Sequence, residues 1–387
     1  MCCVYLEHTV LMQANSNKSE FRKANSVDMK AKRVLKVTGK IILVILILII
    51  VVLIITSVLF RLRVNKAKDY LKSNGYYNLV SAGDYNVNVF TCGNENGNHT
   101  IVALAGYLDG EMYIGWRKMT TTLEEDNRLV FLDRAGYGVS DDYWGEMTAE
   151  HVVEHYRTAL QNAGIQGPYV LMPHSMGGVY ATYWQSQYPD EIEAVMIIDG
   201  SEAQPFDLEK DALDLDIVKW MRRAGNLGLL PPMISSDYGK ELEMLSEEEK
   251  PVSSALLEKT MSSHASTDEM LRWQENCNYV WDTLETNDIP KMYLSITYAF
   301  HTKEQLINEG LTADVLRNVY GIAGDSDDEV YANFLETEAE KRRILDAYIE
   351  KMGNCQKIEM QGQHEIMFDK PDECGKILKD FLEGLDS

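Results

Sequence analysis

The stretch YVLMPHSMGG, residues 169–178, decides the fold. Its first four residues form a short apolar run that is typical of a buried β-strand, and residues 179–189 (VYATYWQSQYP) show a helical pattern. Between them lies a turn with Ser175 at its apex. Such a strand, turn and helix expose the serine hydroxyl, and the helix N-terminus favours the oxyanion that forms when serine attacks a carbonyl. The sequence therefore predicts Ser175 as a nucleophile.

Short β-rich apolar runs alternate with helical patterns on both sides of this stretch. The alternation predicts an α/β fold, with a mostly parallel sheet covered by helices. An opening antiparallel pair, buried parallel strands and two late strands are predicted, in that order, at residues 77–80 and 87–91, then 100–105, 128–132, 169–172 and 194–198, then 291–296 and 356–360.

The pattern changes between residue 205 and about residue 288. This region carries acidic helical segments rich in Met and Leu and contains no convincing strand. Pro231, Pro232 and Gly239 interrupt the helical pattern. We therefore expect a helical insertion that caps the sheet.

Three further blocks accompany the serine turn in a fixed order. They are IVALAGYLDG (residues 101–110), FLDRAGYGVSD (residues 131–141) and MQGQHEIMFDKPDE (residues 360–373). Together with the turn they resemble the α/β-hydrolase family, in its esterase and proline-iminopeptidase branches, from about residue 78 to the C-terminus. The resemblance implies an α/β-hydrolase fold with helices on both faces of the sheet.

The resemblance also implies a general base. His364 follows the last predicted strand and precedes a helix that begins with a proline, which is where the family carries its catalytic histidine. In that role it takes the Ser175 proton and returns it to the leaving group. His174 adjoins the nucleophile inside the turn, so we expect it to pack rather than react.

The oxyanion hole of this family uses two backbone N–H groups. By resemblance these belong to Met176, which follows the nucleophile, and to Tyr107, which follows Gly106 in the upstream loop. Leu108 is the alternative to Tyr107, because a backbone donor does not depend on the identity of its side chain.

Two positions depart from the family pattern. Pro173 replaces the usual first glycine of Gly-x-Ser-x-Gly, and Ala105 replaces the common histidine before Gly106. Proline fixes φ near −65°, so the turn requires a negative φ at position 173.

The acid of the triad departs further. The family's usual acid follows the strand at residues 291–296, but residues 296–305 (ITYAFHTKEQ) offer no Asp, and Glu304 comes too late. Members that resemble the haloalkane dehalogenases place the acid after the strand that follows the serine turn, where this chain has Asp199. Asp199 is the predicted acid, unless it only caps a helix. Glu202 is the alternative acid, followed by Asp325, Asp327 and Asp328.

A competing motif suggests a metal. His151, Glu154 and His155 match H-x-x-E-H, in which two histidines one helical turn apart bind zinc. Residues 148–165 have the periodicity of an amphipathic helix that covers the sheet, with both histidines near its solvated edge. We therefore expect no metal and no organic cofactor.

The N-terminal part contains an uncharged run of 20 residues at positions 41–60 (IILVILILIIVVLIITSVLF). About 20 such residues span the hydrocarbon core of a bilayer, which is ~30 Å thick. A cleavable signal peptide has a shorter apolar run and a small-residue cleavage site, and a core helix of a soluble protein has more polar residues. The run predicts an uncleaved transmembrane anchor, with the lipid bilayer as a partner of the chain.

Charge divides the chain at this run. The formal charge of −23 consists of about +5 before residue 41 and −28 after it. Basic residues flank the run almost equally and slightly favour a cytoplasmic N-terminus, with the large domain outside the cell membrane. The predicted organisation is a basic segment (1–40), a span (41–60), a stalk (61–76) and a hydrolase domain (77–387) with its cap at about 205–288. The acidic domain disfavours nucleic acid as a partner.

These observations predict a two-step acyl transfer to water. Ser175 would attack the carbonyl of a small ester or a short peptide, and His364 with Asp199 would move the proton. A short-peptide aminopeptidase resembling proline iminopeptidase is one alternative. A membrane-anchored binding module that keeps the fold without catalysis is the other.

Overall fold

The structure is a computed structural model that describes residues 2–110, 112–208, 215–230 and 244–386, with side chains from residue 32 onward except at residue 34. Pro231, Pro232 and Gly239, the expected helix breakers of the cap, lie outside these residues. The chain divides into two compact units, residues 1–58 and residues 59–387.

One eight-stranded sheet forms the centre of the second unit, in the order β1-β2-β4-β3-β5-β6-β7-β8. Strands β1 and β2 are antiparallel, β2 pairs antiparallel with β4, and all other neighbours are parallel. The strands are β1 Leu79–Ser81, β2 Asn86–Gly93, β3 Thr100–Leu104, β4 Arg128–Leu132, β5 Tyr169–Pro173, β6 Ile192–Ile198, β7 Lys291–Ser295 and β8 Cys355–Glu359. The mostly parallel α/β architecture confirms the predicted fold class, with strand ends displaced by at most two residues.

Helices precede β1, lie in each connection from β3 to β8, and follow β8. The described helices are α1 Cys2–Ser73, α2 Met112–Thr120, α3 Ala149–Asn162, α4 Gly177–Gln187, α5 Asp216–Asn226, α6 Lys250–Met261, α7 His264–Leu271, α8 Trp273–Thr283, α9 Lys303–Asn308, α10 Ala313–Asn318, α11 Asp327–Met352, α12 Ile366–Asp369 and α13 Pro371–Leu385. Helices α5 to α8 fall in the region predicted as a cap.

The sheet separates two apolar layers, because successive side chains of a strand point to opposite faces. In β3, Val102 and Leu104 pack into one layer with α3 and α4, whereas Ile101 and Ala103 pack into the other with α2 and α13. All four side chains are buried. A strand buried on both faces requires an apolar residue at nearly every position, and this requirement explains the run TIVAL.

Helix α1 carries the predicted span. Among the described residues it is the only helix long and apolar enough to cross a membrane, with a mean hydropathy of 3.7 in its most apolar window.

The end of α1 belongs to the second unit. Val64, Ala67 and Leu71 are buried there, and Arg63 forms a 2.6 Å ion pair with Glu258 of α6. Ala67 and Leu71 pack in one apolar cluster with Val252 and Leu256 of α6. The segment predicted as a stalk is therefore packed against the cap along much of its length.

Candidate active site

Ser175 follows β5 in a turn with an unusual backbone. Its φ is +50°, in the left-handed region that a non-glycine residue occupies at a cost of about 1–3 kcal/mol. Only four non-glycine residues of the described chain have a positive φ, and three of them are Leu108, Ser175 and Asp199. Backbone strain therefore concentrates where the sequence predicts the catalytic groups.

Pro173 and Gly177 fit this turn for steric reasons. Pro173 is the last residue of β5 and lies in register with Leu104 of β3, and the extended backbone there satisfies its fixed negative φ. A Cβ at Gly177 would lie 2.5 Å from the carbonyl oxygen of Leu104, so the first turn of α4 requires glycine. The departure at position 173 leaves the turn intact.

His364 lies after β8 and is joined to Asp199. Its Nδ1 is 2.6 Å from Oδ2 of Asp199, which follows β6 and is 4% exposed. Burial would lower the pKa of His364, but the hydrogen bond and the charge of Asp199 raise it. Because the ionised carboxylate accepts a hydrogen bond from Nδ1–H, the Nε2 of His364 is left as the basic atom.

Asp199 is held by the loop that follows β7. The N–H groups of Ile296 and Thr297 donate to Oδ1 at 2.8 and 3.0 Å, and the Thr297 hydroxyl donates to Oδ2. Burial would raise the pKa of Asp199, but the hydrogen bonds from His364 and from these donors lower it. In the usual family pattern this loop carries the acid. Here it supplies hydrogen-bond donors that stabilise the ionised form of Asp199.

The alternative acids lie elsewhere. Glu202 is buried beside Tyr293 and Tyr298, and burial raises its pKa to about 7. Asp327 and Asp328 begin α11 and form exposed ion pairs with Arg317 and Lys303, respectively. Among the described carboxylates, Asp199 alone accepts a hydrogen bond from the His364 ring.

The two predicted oxyanion donors flank Ser175. The N–H of Met176 has no acceptor among the described residues. Tyr107 lines the same cavity as Ser175, and a Cβ on its neighbour Gly106 would lie 3.1 Å from Ser175 Cβ. The loop after β3 therefore contacts the nucleophile closely. The assignment of Met176 and Tyr107 as donors stays a prediction.

His174 packs against His364, and this contact was not predicted from the sequence. Its Nε2 donates to the carbonyl oxygen of His364 at 3.0 Å, and its ring packs edge-on against Trp116. Burial, followed by the charge of His364, lowers the pKa of His174 to about 3. His174 is therefore a neutral donor that holds the backbone of the predicted base.

Ser175 and His364 line one cavity of about 180 Å³ under helix α6 of the cap. Apolar walls come from α2, α6, α12 and the segment before α6, including Ile114, Leu245, Leu257, Met367 and Phe368. Asp109 and Glu365 add carboxyl groups to the described lining, which contains no Lys or Arg.

Asp109 is a cavity residue that sequence reasoning missed. Its Oδ2 accepts a hydrogen bond from Trp116 Nε1 at 3.1 Å, and burial raises its pKa to about 7. The position of Asp109 two residues beyond Tyr107, in AGYLDG, was the only available signal.

The H-x-x-E-H motif is not assembled as a metal centre. His151 is exposed and His155 is half-buried, with Nδ1 of His155 2.7 Å from the Tyr85 hydroxyl. The Nδ1 of His151 lies 3.0 Å from the carbonyl oxygen of Glu146, and Glu154 pairs with Arg157. No group of three metal-binding side chains occurs among the described residues.

Comparisons with known proteins agree with this fold. A family profile described as the alpha/beta hydrolase fold matches residues 100–270. The chain is 24% identical over 324 residues to the uncharacterized protein YbdG of Bacillus subtilis (strain 168), covering 83% of this chain and 89% of that protein.

Two solved structures have similar folds. The Cif epoxide hydrolase from Acinetobacter nosocomialis has a TM-score of 0.56 at 13% identity, with 84% of this chain and 96% of that chain covered. The esterase EaEST from Exiguobacterium antarcticum has a TM-score of 0.52 at 12% identity, with 80% and 100% covered. The protein has the α/β-hydrolase fold. The match to this profile supports a hydrolase.

Proposed function

We propose that the protein is a serine hydrolase that cleaves an ester or amide bond through an acyl-enzyme on Ser175. One observation supports the proposal. Ser175, whose backbone φ is positive, lines the same cavity as His364, and Nδ1 of His364 is hydrogen-bonded to the buried carboxylate of Asp199. A nucleophile, a base and a group that orients the base are the parts that acyl transfer requires.

The reaction follows from these contacts. Asp199 fixes the Nδ1–H tautomer of His364, so Nε2 takes the Ser175 proton as the hydroxyl oxygen attacks the substrate carbonyl. The N–H groups of Met176 and Tyr107 stabilise the oxyanion, and His364 returns the proton to the leaving group. Water then attacks the acyl-enzyme and gives a proton to His364, which passes it to the Ser175 oxygen as the bond to the acyl group breaks and the acid is released.

A fluorophosphonate probe tests the proposal on the full chain in detergent micelles. The wild type should be labelled covalently, and Ser175→Ala should not be, with an unchanged melting temperature. Folded wild-type protein that resists labelling would contradict the enzyme and favour a binding module.

The cavity favours a small acyl group. A volume of about 180 Å³ lies below the ~300–1,000 Å³ of sites for drug-sized ligands, and Ile114, Leu257 and Phe368 supply apolar surface to it. A short-chain carboxylic ester is therefore the preferred substrate class. Turnover of p-nitrophenyl esters should fall as the acyl chain lengthens from acetyl to dodecanoyl, and the opposite order would contradict this preference.

One observation favours the aminopeptidase alternative. Asp109 and Glu365 line the cavity, and an ionised carboxylate there would attract the ammonium group of a peptide N-terminus. Coumarin amides of free amino acids should then be cleaved faster than their N-acetylated counterparts. If the two sets were cleaved equally or not at all, while esters were hydrolysed efficiently, the aminopeptidase would be excluded and the esterase supported.

The span adds a location to the proposal. Residues 41–60 would anchor the enzyme as a single-pass membrane protein, with the hydrolase domain outside the cytoplasm. Protease added to intact cells should remove the C-terminal domain. Protection until lysis would contradict this orientation.

A further inference from the structure

A buried ion pair lies behind the loop that follows β3. Arg134, after β4, is 2% exposed, and Glu269, in cap helix α7, is 0% exposed. Arg134 Nε is 2.8 Å from Glu269 Oε1, although its N–H does not point at that oxygen well enough for a hydrogen bond. Burial would lower the pKa of Arg134, but the charge of Glu269 raises it, so Arg134 remains ionised.

The other guanidinium nitrogens of Arg134 bind the loop. Nη1 donates to the carbonyl oxygen of Ala105 at 2.5 Å, and Nη2 donates to that of Gly106 at 2.8 Å. The planar guanidinium thus holds two successive peptide groups in one orientation, which a single ammonium group could not do. Gly106 and Tyr107 line the catalytic cavity and Arg134 does not, so Arg134 holds the loop from behind.

The orientation of these carbonyls fixes the N–H groups. In a trans peptide the C=O and N–H point in opposite directions. The carbonyl of Gly106 and the N–H of Tyr107 belong to the same peptide group. Because the carbonyl of Gly106 points toward Arg134, which donates a hydrogen bond to it, the N–H of Tyr107 points away from Arg134, on the cavity side of the loop.

Glu269 also holds the helix that follows the nucleophile. Tyr180 of α4 donates to Glu269 Oε1 at 2.7 Å, and Tyr137 donates to Oε2. Helix α4 begins at Gly177, directly after Met176. One carboxylate of the cap therefore connects the elements that carry both predicted oxyanion donors.

We propose that Arg134 is a positioning residue for the oxyanion hole. Glu269 supports this role because it fixes the positions of both Arg134 and α4. The inference rests on the proposed function, because an oxyanion hole matters only if Ser175 forms a tetrahedral intermediate. It predicts that the pair acts on the transition state and leaves substrate binding nearly unchanged.

The test variant is Arg134→Lys, which keeps a positive charge beside Glu269 but cannot hold both carbonyls. With p-nitrophenyl acetate, kcat should fall roughly 10- to 100-fold while KM changes less than about threefold, since loss of one oxyanion donor costs about 10²–10³. Affinity for a trifluoromethyl ketone, whose hemiketal oxygen occupies the oxyanion position, should fall in parallel with kcat.

Arg157→Lys is the matched control. Arg157 pairs with Glu191 at 2.6 Å on the outer side of α3 and binds no carbonyl of the site loop. The same chemical change there should leave kcat, KM and ketone affinity unchanged.

Tyr180→Phe keeps the proposal testable if Arg134→Lys does not fold. It removes one donor to Glu269 and should lower kcat about three- to tenfold with an unchanged KM.

A folded Arg134→Lys with wild-type kcat and ketone affinity, or with a loss confined to KM, would overturn the inference. If Arg134→Lys does not fold, wild-type behaviour of Tyr180→Phe would also overturn it. Failure of the proposed function gives a different result. In that case the wild type would not hydrolyse the ester, or any activity present would persist in Ser175→Ala.

Discussion

Two imidazoles lie side by side in this site, and their surroundings differ. The ring centroids of His174 and His364 are 4.7 Å apart. His364 is hydrogen-bonded to a carboxylate, and its pKa is raised. His174 is buried with no carboxylate as a hydrogen-bond partner, and its pKa is lowered to about 3. The hydrogen-bond partner, rather than distance from the nucleophile in the sequence, therefore favours His364 over His174 as the proposed general base.

The largest effect should follow removal of the base. His364→Ala eliminates the proton acceptor for Ser175, so kcat should fall by about 10⁴ or more in a p-nitrophenyl ester assay. If His364→Ala remained active and His174→Ala did not, the two roles would have to be exchanged.

Removal of the carboxylate should come next. Asp199→Asn leaves His364 without the partner that fixes its tautomer, and kcat should fall by about 10³–10⁴. Glu202→Gln is the matched control, because Glu202 is also a buried acid after β6 but does not bind the His364 ring; it should change kcat less than about threefold. The reverse result would identify Glu202 as the acid.

Removal of the second imidazole should be milder. His174→Ala loses the donor to the His364 carbonyl, so the base is held less firmly and kcat should fall roughly tenfold. In His174→Gln the amide nitrogen can replace Nε2, and most of this loss should be recovered. Equal losses in both variants would show that packing, not the hydrogen bond, is what His174 contributes.

The smallest effect concerns pH. His364 acts as a base only when neutral, and its raised pKa lies above the ordinary value of about 6.5, so kcat/KM should fall as the pH decreases through that raised pKa. Removing the charge at position 199 should shift this limb of the residual activity to lower pH. His174 should add no limb near neutrality, because it stays neutral there.

Much of the fold could be predicted from local sequence. The alternation of apolar strands with helical patterns gave every strand to within two residues, because strands buried on both faces need nearly continuous apolar runs. The strand ends differ where pairing decides them: β5 extends to Pro173 because it pairs with Leu104 of β3.

The site could be predicted less completely. Ser175 and His364 lie in local motifs, whereas Asp199 was chosen because the usual position lacked an acid. In the structure Asp199 accepts hydrogen bonds from His364, Ile296 and Thr297, and no motif records the last two contacts. Arg134 and Glu269 are 135 positions apart in the sequence and meet only after the cap folds over the sheet. A single sequence carries no local pattern for such a contact.

We propose Ser175 as the nucleophile and His364 as the base that activates it. The most direct measurement is peptide mapping by mass spectrometry of the full chain after reaction with a fluorophosphonate. We expect one phosphonate adduct, on Ser175, that forms at least about 10³-fold more slowly in folded His364→Ala. An adduct on another residue, or undiminished labelling without His364, would contradict it.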